Sequence, residues 1–65
     1  MYQNRMKKIR KEKGITLTDI AIKTGISVGY LSHLEKGTRK NPSIEMMDKI
    51  AKVLEKSVFD VFFTE

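Results

Sequence analysis

The chain has 65 residues, no cysteine, one histidine and a net charge of +5. That length holds one domain with a small core, and the lack of cysteine excludes a disulfide framework and a thiolate metal site. Apolar runs stop at three residues, far short of the roughly 20 that span a membrane, and no apolar h-region follows the basic N-terminus, so a cytoplasmic protein is expected.

The first helix is predicted from residue 2 to residue 13, stopping at Gly14. Met6 and Ile9 form its inner face, and Lys7, Lys8 and Lys11 point outward. Thr16-Leu17-Thr18-Asp19 has the capping-box form, in which the first and fourth side chains each satisfy an orphan amide. It opens a second helix, Leu17–Thr24, that ends at Gly25. Ser27 caps a third helix, Val28–Lys36, closed by Gly37. Leu31 and Leu34 share its inner face, with Ile26 reaching under them. Val28, Gly29, Ser32 and His33, related by steps of three and four, form a second face. That face has no charge to keep it solvated and too little bulk for a core stripe. It suits close approach to something flat and polar, such as base-pair edges in a DNA major groove.

Residues 38–42 form a polar loop, because Asn41 precedes proline and cannot continue a helix. Ser43 caps a fourth helix with a stripe of Ile44, Met47, Ile50, Ala51 and Leu54. Ser57 to Asp60 is another capping-box form and starts a short fifth helix over 58–63. The expectation is an all-α, compact five-helix architecture in one domain, 1–65, with no strand, repeat or low-complexity segment. Charge is uneven along it: residues 1–40 hold ten Lys/Arg against three Asp/Glu, and residues 41–65 hold three against five. Such asymmetry suits one face drawn to phosphates.

Two short helices joined through Gly25-Ile26-Ser27 have the form of a helix-turn-helix, over about 16–36. With Ile20-Ala21, Gly25, Leu31, Leu34-Glu35, Gly37 and Asn41-Pro42-Ser43, the chain resembles the Cro/repressor (XRE) family of helix-turn-helix proteins. The likeness covers about residues 5–62. It implies the lambda-repressor-like fold, double-stranded DNA as partner, and base contact from the start of helix three and from His33. It also implies a backbone grip by the loop after helix three, and an Arg10–Glu35 ion pair tying helices one and three. Three positions depart from the family. Glu55-Lys56 replaces Gly followed by an apolar residue, so helix four is expected to end less sharply or run on by a residue. Leu17 replaces a polar residue, leaving only its backbone amide for a phosphate. Ile22 puts an apolar residue on a solvated face.

The expected base contacts are Ser27, Val28, Gly29, Ser32 and His33. Val28 can pack on a thymine methyl, Ser32 and His33 can donate or accept, and Gly29 permits close backbone approach. Capping alone would account for Ser27, and His33 has the alternative of an ordinary surface imidazole. Expected phosphate contacts are Thr16, Leu17, Tyr30, Lys36, Thr38, Arg39, Lys40 and Asn41. For Tyr30 the alternative is a ring half-packed on helix two.

No cofactor is expected, no small-molecule site is evident, and a lone histidine makes no metal site. No catalytic constellation supports an enzyme. The expected function is a sequence-specific DNA-binding regulator, a repressor, acting as a homodimer. The dimer surface is expected within 57–65, where Phe59 and Phe63 have no room in so small a core. A protein-interaction module on the same fold, using helices three and five, is the competing reading.

Overall fold

Most helix boundaries among the described residues have a local chemical reason. The computed structural model describes residues 4–38 and 41–63. They form α1 (Met6–Lys13), α2 (Leu17–Thr24), α3 (Val28–Lys36), α4 (Ile44–Leu54) and α5 (Val58–Phe62), with no strand among the described residues. The Thr16–Asp19 capping box is complete: the Asp19 amide donates to Thr16 Oγ1 at 3.0 Å and the Thr16 amide to Asp19 Oδ2 at 2.9 Å. Ser27, Ser43 and Ser57 each accept from the amide three residues on. Such caps each stabilise a helix start by about 1 kcal/mol.

Three boundaries differ from expectation, the smallest being that α5 ends at Phe62 and leaves Phe63 outside the helix. Residue 2, the expected start of α1, lies outside the described residues, but Asn4 and Arg5 are described and are not helical. The Arg5 amide donates to Val61 O in α5 at 2.8 Å, and Asn4 Oδ1 accepts from the Met6 amide at 2.9 Å. Docking against α5 thus diverts the chain before the helix begins. At the far end of α4 no run-on occurs. Glu55 adopts the left-handed conformation (φ 58°), its amide donating to Lys52 O and that of Lys56 to Ala51 O. The helix stops as it would at glycine, because paired carbonyls offset the steric cost of a side chain there.

The core is Met6, Ile9, Ile20, Ile26, Leu31, Leu34, Met47, Ile50, Ala51, Leu54, Val61 and Phe62. Each large apolar side chain withdrawn from water stabilises by about 1.5–3 kcal/mol. Ile44, expected in the α4 stripe, is instead 77% exposed. It stands at the first position of α4, beyond the edge of the core, where buried Pro42 closes that end. α4 packs against α1, α2 and α5, and α2 against α3. No helix among the described residues is long and apolar enough to cross a membrane.

Candidate nucleic-acid interface

Leu31 and Leu34, both fully buried, pin the inner side of α3 to the core. Val28, Gly29 and His33 are exposed on the outer side, with Ser32 half-buried beside them. Ser27 sits at the helix entrance with its hydroxyl accepting from the Tyr30 amide at 3.1 Å. Gly29 has no internal reason to be glycine: its φ is not positive and an added Cβ would meet nothing within 4 Å. Glycine inside a helix costs about 1 kcal/mol against alanine, so Gly29 weakens the free fold with no packing or backbone requirement inside it. Tyr30 is half-buried and packs on the core.

Around this face the expected phosphate contacts divide. Thr16 is the α2 N-cap, its hydroxyl oxygen accepting from the Asp19 amide. The Leu17 side chain packs on the core, which leaves its backbone amide as the group at the positive end of α2. Asp19 stands at the same end, and donation from the Thr16 amide holds its carboxyl below the ordinary aspartate range. Lys36 is exposed at the end of α3, and Asn41 is exposed with φ 54°. Arg39 and Lys40 lie outside the described residues. Thr38 is a special case: its amide and its hydroxyl both donate to His33 O, each at 3.0 Å. Its donors are therefore turned toward α3, away from a phosphate role.

Two side chains tie α3 to the N-terminal part of the chain. Arg10 Nε donates to Glu35 Oε2 at 2.7 Å and Arg10 Nη2 to Glu35 Oε1 at 3.0 Å. Donation to Glu35 raises the guanidinium pKa further, against the opposing effect of burial. Arg10 Nη1 also reaches Ile15 O at 3.4 Å, so one side chain ties α1, the turn after it and α3. The second anchor, Asn4, has no motif signal in the sequence: its Nδ2 donates to Leu34 O at 3.0 Å. An asparagine before a helix reads as a local cap, and only the packed fold reveals its second bond.

On α5, Val61 and Phe62 are buried and Val58 half-buried. Phe59 and Phe63 stay 66% and 56% exposed, stacked with ring centroids 6.3 Å apart.

Residues 6–61 match the family described as Helix-turn-helix. The chain belongs to that family. Among curated members, the HTH-type transcriptional regulator SinR of Bacillus subtilis (strain 168) is 43% identical over 58 residues, covering 89% of this chain and 52% of SinR. The regulator DdrOP3 of Deinococcus deserti is 44% identical over 57 residues, covering 88% of this chain and 43% of that protein. The chain thus spans about half the length of the curated relatives it matches. A SinR crystal structure in complex with DNA superposes with a TM-score of 0.77 at 44% identity, over 83% of this chain and 86% of that one. A SinR protein/SinI protein complex gives 0.78 at 44% identity, over 85% and 53%. The five-helix arrangement of this helix-turn-helix chain is the lambda-repressor-like fold.

Proposed function

We propose that this chain is a sequence-specific double-stranded DNA-binding transcriptional regulator, a repressor, that places α3 in the major groove. One observation carries the reading most: a rigidly anchored helix presents Val28, Gly29, Ser32 and His33 outward, with a glycine that its own fold does not require. In this reading Val28, Ser32 and His33 read base edges, Gly29 and Ser27 permit close approach, and Lys36, Asn41, Thr16, Tyr30 and the Leu17 amide hold the backbone, with Arg39 and Lys40 extending the grip. The relative SinR has been crystallised in complex with DNA, which favours the same use of the same fold here. It is a binding module rather than an enzyme.

Two copies act together. The domain extends 26 Å along its longest axis, less than the roughly 34–36 Å between successive major-groove half-sites. One copy therefore reads one half-site, too little for specificity among genomic competitors. The exposed Phe59–Phe63 pair joins the copies about a twofold axis, giving a near-palindromic operator.

Selection from a random duplex pool, followed by a salt titration, tests the reading. The expected result is an enriched near-palindrome and a log–log salt slope of about −0.9 per phosphate neutralised, flattened by about one unit in Lys36→Ala. No enrichment with a shallow slope would overturn it in favour of a protein-docking module.

A further inference from the structure

His33 and Thr38 are locked into a small hydrogen-bond ring at the end of α3. Thr38 Oγ1 lies 3.0 Å from His33 O and 2.9 Å from His33 Nδ1. A threonine hydroxyl carries one proton. Two oxygens 3.0 Å apart with no proton between them would repel, so that proton lies on the line to His33 O. Thr38 Oγ1 then offers a lone pair to the ring, and Nδ1 must carry the hydrogen. In a neutral imidazole the other nitrogen, Nε2, is left as an acceptor. The Thr38 amide, donating to the same carbonyl at 3.0 Å, fixes the backbone that holds the ring closed.

We infer that Thr38 is a positioning residue that sets the polarity of base readout: by holding His33 in the Nδ1–H form, it makes the exposed edge of the ring an acceptor. This rests on the DNA-binding reading above and names its specificity. An acceptor in the major groove selects an exocyclic amino group, adenine N6 or cytosine N4. It disfavours guanine, whose O6 and N7 are themselves acceptors. The opposite tautomer, Nε2–H, would favour guanine. Polarity at this position is therefore decided by a residue five along the chain that touches no base.

Two measurements test the inference. Long-range proton–nitrogen correlation spectra of the free protein, in mildly alkaline buffer where imidazoles are neutral, read the tautomer without any DNA. The expected form is Nδ1–H in the unchanged protein and in Thr38→Ser, and a shift toward Nε2–H in Thr38→Val. An Nε2–H ring in the unchanged protein would overturn the inference. Duplex selection is the second arm. Thr38→Val should lose adenine/cytosine-over-guanine preference at one position of each half-site by roughly 3- to 10-fold, the worth of one hydrogen bond, while Thr38→Ser keeps it. A Thr38→Val site identical to the parent's would also overturn it. If the unchanged protein enriches no duplex at all, the DNA-binding reading fails and the base preference with it, whichever tautomer the spectra report.

Discussion

Arg10 and Glu35 grip each other through two parallel hydrogen bonds, 2.7 and 3.0 Å, with side chains only 15% and 7% exposed. A pair so withdrawn from water adds little net stability, but removing one partner strands the other. Glu35→Ala should therefore cost about 2–3 kcal/mol, lowering the melting temperature of so small a domain by roughly 10–20 °C. DNA affinity should fall with it, because α3 loses its angle, although deleting a carboxylate near DNA would by charge alone tighten binding. Tighter binding at an unchanged melting temperature would show that the pair does not position the helix.

Gly29→Ala should separate stability from function. Alanine meets nothing inside the chain and is the better helix former, so the fold should gain about 0.5–1 kcal/mol. The added methyl lies where a base edge must approach, and binding should weaken by about tenfold or more. A calorimetric melt paired with fluorescence anisotropy reads both; unchanged affinity would remove Gly29 from the interface.

The left-handed residue at the end of α4 offers a gain of another kind. Glu55→Gly removes the steric cost of φ 58° and sacrifices a Lys13–Glu55 contact of 3.3 Å that is largely exposed and worth little. A net stabilisation of about 0.5–1 kcal/mol is expected, measured by denaturant titration.

Asp19 links the α2 cap to pH. Its pKa is depressed in the fold, so the stabilisation it provides is fully present above the unfolded aspartate value of about 3.9 and is lost as pH falls through the lower folded value. Asp19→Asn should be less stable than the parent at neutral pH, with the gap closing in acid. The same change removes a negative charge beside the α2 N-terminus and should tighten DNA binding at neutral pH. Parallel pH-dependent melts and binding isotherms check the two opposite signs.

Phe59→Ser/Phe63→Ser should leave a folded monomer with weak half-site binding. Both rings are more than half exposed, so the core loses little, whereas a dimer interface loses its aromatic centre. Sedimentation would place the interface elsewhere if the dimer persists.

Much of this protein was legible in the order of its residues because caps and glycines act locally. Thr16 with Asp19, Ser27, Ser43 and Ser57 satisfy amides three positions away, and Gly14, Gly25 and Gly37 turn left-handed within their own helices' ends. Helix number, helix polarity and the inner face of α3 follow from such short-range chemistry. Tertiary contact decided the rest. α1 begins at Met6 because Arg5 pairs with Val61, fifty-six residues on, and Asn4 anchors α3 because packing brings Leu34 O within 3.0 Å. Ile44 fits the apolar period of α4 yet faces out, since periodicity marks a stripe but not where the core ends. Thr38 reads alone as a polar loop residue; the turn after Gly37 folds its hydroxyl back onto His33. Bonds between distant residues depend on how finished helices meet, and no local pattern of residues encodes that meeting.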